Sequence, residues 1–209
     1  NPMTNCDVFK FFVIIRSLSV ISVSVKFLFS LFLFIEPVTK KYCVSYKINL
    51  AFFERYGEKG LLSLRKTLNY IPNDIFVIAD GKRGDIFNSS KMYAESLYDE
   101  LNFNASTLNP YMGEDAILPF QREGKWSIIL AATSNPSSRD FQLLKTENGN
   151  PLYLEVVKKA QKWGNSNNIM FVVGGTKPTI ISDIRQHAPE FFFLVPGYGT
   201  QGGDLNEIF

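Results

Sequence analysis

At 209 residues the chain can hold one large domain, and a single α/β barrel is within reach. Its 45% apolar and 20% charged content is that of a globular protein rather than a disordered one. A net charge of +2, with lysines and arginines scattered and no basic stripe among aromatics, is too small to argue for nucleic acid or an anionic membrane as a partner. Cys6 and Cys43 are too few for a disulfide framework and lack metal-ligand spacing, which fits a reducing, cytoplasmic setting. His187 is the only histidine, in a polar stretch before Ala188-Pro189, so Ser-His-Asp chemistry is excluded.

Residues Val8 to Ile35 are strongly apolar but broken by Lys10, Arg16 and Lys26. A membrane span needs roughly 20 apolar residues. Any such span here includes a charge that costs about 2.5–3.5 kcal/mol near the bilayer centre. The basic residues also interrupt a signal-peptide pattern, and no cleavage site precedes Glu36. The segment 1–35 is therefore set apart from a domain spanning 36–209.

From Tyr42 the pattern alternates. Strands are expected at Tyr42–Lys47, Ile75–Asp80, Ala105–Leu108, Trp126–Ala132, Ile169–Val173 and Phe191–Val195. Helices are expected at about Gly60–Tyr70, Ser89–Leu101, Ile117–Gln121, Leu152–Trp163 and Thr179–Gln186, with Ser89 or Ser90 suited to the N-cap of the second. Apolar strands alternating with helices argue for a parallel sheet in an α/β fold. Periodicity leaves open sheet and barrel as alternatives.

One passage carries chemistry. Asp80-Gly81-Lys82-Arg83-Gly84-Asp85 follows the apolar run Ile75–Ala79, where a buried strand emerges. Side chains two apart on a strand share a face, so Asp80 and Lys82 project together and each favours the other's charged form. Gly197-Tyr198-Gly199-Thr200-Gln201-Gly202 matches a dinucleotide fingerprint in letters, but the helix, strand and acidic residue that reading requires do not follow. A phosphate loop, whose glycines let backbone N–H groups approach an anion, fits better.

Six blocks resemble the orotidine 5'-phosphate decarboxylase family, in particular its longer bacterial branch. They are Tyr46–Glu54, Asp80–Ile86, Asn109–Gly113, Thr133–Pro136, Phe171–Pro178 and Pro196–Asp204. The resemblance implies a (β/α)8 barrel, in which functional residues sit at the C-terminal ends of strands. It implies decarboxylation of orotidine 5'-phosphate to uridine 5'-phosphate in pyrimidine biosynthesis (EC 4.1.1.23), without metal or organic cofactor. Catalysis is then assigned to Lys47, Asp80, Lys82 and Asp85. Lys82 stabilises and protonates the C6 carbanion-like centre, Asp80 faces the departing carboxylate, and Lys47 holds the array and reaches the ribose. Asp85, with Ile86 and Ser89 nearby, is implied to enter the neighbouring subunit's site in a homodimer. Substrate binding is assigned to Ile86, Ser89, Ser134, Pro196, Gly197, Gln201 and Gly202, with Gln201 bridging phosphate and pyrimidine. Magnesium-dependent siblings that act on sugar-acid phosphates are disfavoured, because Lys47 stands where they carry an acidic group.

The sequence also departs from the family pattern. No strand candidate carries the first-strand aspartate for the ribose, and no arginine for the phosphate follows Phe209. Phe87 replaces a glycine usual in this branch. Six countable strands leave a barrel lacking its last strand, so the expectation is an incomplete gene product and a poor catalyst. An inactive or membrane-tethered barrel remnant is the alternative.

Overall fold

The computed structural model describes Leu33, Glu36, Thr39 and residues 44–197. The chain divides into two compact units, one running to Leu130 and the other from Ala131 onward. Tyr42, Cys6, Cys43, most of the apolar N-terminal segment, Gln201 and Gly202 lie outside the described residues.

In the first unit, β1 (Ser45–Asn49) leads through α1 (Ala51–Glu54) and α2 (Gly57–Tyr70) to β2 (Phe76–Arg83). Next come α3 (Phe87–Glu95), a π-helical turn at Ser96–Glu100, and β3 (Ala105–Leu108). Three 3-10 turns, Pro110–Met112, Glu114–Ala116 and Leu118–Phe120, precede β4 (Trp126–Ala132), whose last two residues are counted with the second unit. All pairings are parallel: Ser45 to Asn49 face Phe76 to Asp80, and Ala105 to Leu108 face Trp126 to Ile129. Strands covered on both faces read as apolar runs, and Ile78, Ala79, Leu108, Ile128 and Ile129 are accordingly almost fully buried. Phe103, Ile117 and Phe120 join them in the core. Asn104 locks the start of the sheet, accepting from the Val77 N–H through its side chain (2.8 Å) and donating its own N–H to Val77 O (2.9 Å).

In the second unit, a 3-10 turn at Pro136–Asp140 leads toward α4 (Leu152–Trp163). Then come β5 (Ile169–Val173), α5 (Pro178–His187) and β6 (Phe192–Leu194). β5 pairs in parallel with β6, Met170 facing Phe192. The amphipathic spacing of α4 turns Leu154, Val157 and Ala160 inward. The Tyr153 hydroxyl donates to Asp183 Oδ2 at 2.6 Å, tying α4 to α5. His187 ends α5, where its Nδ1 lies 2.9 Å from Asp183 O, the helix-end placement that its polar context suggests.

Several expected boundaries move. β1 runs two residues past Lys47 and β2 three past Asp80. α2 begins at Gly57, before Gly60. Neither Ser89 nor Ser90 caps α3: Ile86 occupies that position, without a side-chain cap bond, and both serines lie inside the helix. Ser90 instead donates to the Asp85 and Ala116 carbonyls (2.8 and 3.1 Å), a tertiary use of a hydroxyl that local pattern does not encode. The expected helix at Ile117–Gln121 is a single 3-10 turn entered through Pro119. Among the described residues, no helix is long and apolar enough to cross a membrane.

Candidate active site

β1 and β2 set the site. Lys47 pairs with Ile78, and Asp80 lies two residues further along β2, so both side chains leave the same face of the sheet. Lys47 Nζ donates to Asp80 Oδ2 at 2.6 Å, and Lys82 Nζ donates to Asp80 Oδ1 at 2.6 Å. One carboxylate thus holds two ammonium groups, one on each oxygen.

The two cations differ in exposure. Lys47 and Asp80 are 8% and 7% exposed, whereas the Lys82 side chain is 50% exposed. Burial works to raise the Asp80 pKa, but the charges and hydrogen bonds of Lys47 and then Lys82 outweigh it. The carboxyl is held below its ordinary value. The array is an anion fixed between a buried cation and a cation on a half-exposed side chain.

The backbone departs from regularity where this happens. Ala79 faces Ser106 and Arg83 faces Leu108, so β2 advances four residues while β3 advances two. Lys82 has φ +46°, a left-handed conformation that costs a residue with a Cβ about 1–2 kcal/mol. Beyond it, Gly84 packs so closely on Asn109 that an added Cβ would lie 2.7 Å from the Asn109 carbonyl oxygen. Arg83 pairs with Glu54 and stands 5.2 Å over the Tyr93 ring, anchoring the end of β2 to α1 and α3.

Asp85 stands outside this cluster. Its Oδ1 accepts from the Ile86 N–H at 2.8 Å, and its own N–H donates to Ser90 Oγ at 3.2 Å. Ile86 is 70% exposed, and Ser89 is half-buried on α3. Ser134, Pro196 and Gly197 belong to the second unit. There, Gly174 donates to Ala132 O (2.8 Å) and leaves no room for a Cβ, which would lie 2.7 Å from Ser134 N. Pro196 O accepts from the Gly175 N–H (2.8 Å), and Gly197 takes φ +96°. The turn Pro136–Asp140 is capped by Asn135, without a side-chain bond.

Sequence reasoning missed Thr107. Its buried hydroxyl donates to Asp80 Oδ1 (3.0 Å) and accepts the Lys82 N–H (2.9 Å). The available signal was Ser106-Thr107 within a short, wholly buried strand, where a hydroxyl needs a partner. Among the described residues, no group of three or more His, Cys, Asp or Glu side chains converges as a metal site would.

The model of the orotidine 5'-phosphate decarboxylase / HUMPS family matches residues 28–208. The chain belongs to that family. An orotidine 5'-phosphate decarboxylase of Bacteroides fragilis is 50% identical over 178 residues, covering 83% of this chain and 65% of the relative. One from Flavobacterium johnsoniae is 51% identical over the same share of both. The chain thus spans just under two thirds of the length of these relatives. Among solved structures, Leishmania donovani UMP synthase superimposes with a TM-score of 0.87 at 36% identity, over 91% of this chain and 43% of the other. Leishmania donovani OMP decarboxylase does so with 0.81 at 36% identity, over 84% and 71%. The fold class is that of the (β/α)8-barrel decarboxylases, with six strands among the described residues.

Proposed function

We propose that the protein decarboxylates orotidine 5'-phosphate to uridine 5'-phosphate. The observation that carries this is the Lys47–Asp80–Lys82 array, with one buried anion, one buried cation and one half-exposed cation joined at 2.6 Å. Removing carboxylate from C6 breaks the C6–carboxyl bond, leaves the electron pair on C6 and releases carbon dioxide. Lys82, the half-exposed cation, then gives its proton to C6 and is left as the neutral amine. Fixed charges aimed at the developing carbanion stabilise it without reorganising at the moment of reaction. Asp80, kept ionised by its two lysines, repels the substrate carboxylate and favours its departure. Lys47, held in place by Asp80, is the candidate contact for the ribose hydroxyls.

The remaining assignments follow the family pattern. Ser134 would meet the pyrimidine, and Pro196, Gly197, Gln201 and Gly202 the phosphate side. Asp85, whose exposed neighbour Ile86 leads into α3, would complete a second subunit's site in a homodimer, with Ser89 close by. The reaction needs no metal and no organic cofactor, and the enzyme would work in the cytoplasm, away from membranes and nucleic acid.

The test is to assay carbon dioxide release from orotidine 5'-phosphate with and without a chelator. Turnover indifferent to the chelator is expected, and loss of turnover on chelation would favour a metal-dependent reaction on sugar phosphates. For the shared site, Asp85→Ala and Lys82→Ala chains are mixed, since one hybrid site retains both residues. Recovered activity is expected. No recovery in verified heterodimers would assign Asp85 to its own chain.

A further inference from the structure

We propose that Thr107 is a positioning residue of the lysine–aspartate array, its one hydroxyl fixing both the backbone of Lys82 and the Asp80 oxygen that Lys82 engages. This rests on the decarboxylase reading of the site. Between Ala79 and Arg83 the pairing of β2 with β3 slips, and the backbone N–H of Lys82 finds its partner in the Thr107 hydroxyl at 2.9 Å. Buried N–H groups that lose a ladder partner must be satisfied elsewhere. Lys82 also sits at φ +46°, which a lysine does not hold without support from its surroundings.

The same hydroxyl has one proton, and it goes to Asp80 Oδ1 at 3.0 Å. That oxygen also receives Lys82 Nζ at 2.6 Å, while Oδ2 is taken by Lys47. Accepting from the backbone of Lys82 and donating to the acceptor of its side chain, Thr107 closes a loop through one residue. Thr107 is 1% exposed, so it touches no solvent and acts through Asp80 and Lys82 rather than on substrate. A β-branched threonine on a strand has a restricted χ1, which keeps the hydroxyl aimed.

The discriminating pair is Thr107→Val, which keeps shape and β-branching but loses the hydroxyl, and Thr107→Ser, which keeps the hydroxyl. In Thr107→Val, kcat should fall roughly 10- to 100-fold, the scale of a misplaced catalytic group, while affinity for uridine 5'-phosphate by calorimetry changes far less. Thr107→Ser should recover most of kcat. Independently of activity, the Asp80 carboxyl followed by carbon-13 NMR should titrate higher in Thr107→Val than in the wild type and return toward it in Thr107→Ser. The Lys82 amide should exchange faster only in the valine variant. A wild type that binds but does not decarboxylate orotidine 5'-phosphate would end the decarboxylase reading, and the NMR titration would still decide the role of Thr107. Equal kcat in wild type and Thr107→Val, or an Asp80 titration that the valine leaves unmoved, would overturn the proposal.

Discussion

The two halves of β2 obey different rules. Phe76 to Ala79 keep register with β1, and Ile78 and Ala79 sit opposite Ala105 and Ser106 as buried apolar residues of a parallel sheet. Asp80 to Lys82 slip against β3 before pairing resumes at Arg83 opposite Leu108, include a left-handed lysine, and are held by side-chain bonds to Thr107 and within the Lys47–Asp80–Lys82 array. The first half is shaped by burial and the second by charge. A strand can therefore be regular up to the residue where the proposed site begins, and the irregularity coincides with that site. Local rules broken in one place and satisfied around it are the expected signature of a functional segment.

The two halves differ most at Asp80. Asp80→Ala leaves Lys47, 8% exposed, as an uncompensated buried cation. Breaking such a buried pair costs about 3–5 kcal/mol, with little added for half-exposed Lys82, and denaturant unfolding should register it. Ala79→Gly, one residue earlier, removes a single buried methyl and should cost about 1–2 kcal/mol by the same assay. A similar loss from both would erase the distinction between the halves.

Gly84→Ala sharpens the boundary at the far end. The new Cβ would lie 2.7 Å from Asn109 O, and Asn109 is held by its own N–H to Arg83 O (2.7 Å). Overpacking of this kind costs about 1–3 kcal/mol, visible as a lowered melting temperature. At the small end, Arg65→Ala removes a pair with Glu100 whose side chains are 52% and 68% exposed, and should change stability by about 0–1 kcal/mol.

Acid gives a graded version of the same contrast. The Asp80 pKa is lowered in the folded protein, so its contribution to stability is fully present above the unfolded carboxyl value of 3.8. It is lost as pH falls through the lower folded value. Stability of the wild type measured by denaturant from neutral pH downward should therefore fall more steeply in this acidic window than stability of Asp80→Asn. Parallel curves would show that Asp80 carries no such linkage.

Legibility in the sequence followed the same division. Ala105–Leu108, Trp126–Ala132, Leu152–Trp163 and Ile169–Val173 could be read to the residue, because apolar runs and helical spacing record burial directly. The pairing of Asp80 with Lys82 was also legible from two-residue alternation. Four things were not. The extension of β2 to Arg83, the left-handed Lys82, the Thr107 bonds and the role of Ser90 all depend on partners 25 to 27 residues away or on a register slip. No local pattern encodes those.

A paired measurement on the wild type and Lys82→Ala shows whether the half-exposed cation of this array does the chemistry. Single-turnover release of labelled carbon dioxide from carboxyl-labelled orotidine 5'-phosphate is followed beside uridine 5'-phosphate binding. Loss of a group that both stabilises charge and donates a proton should slow release at least about a hundredfold, with nucleotide affinity largely kept. Near-wild-type release by Lys82→Ala would contradict the account.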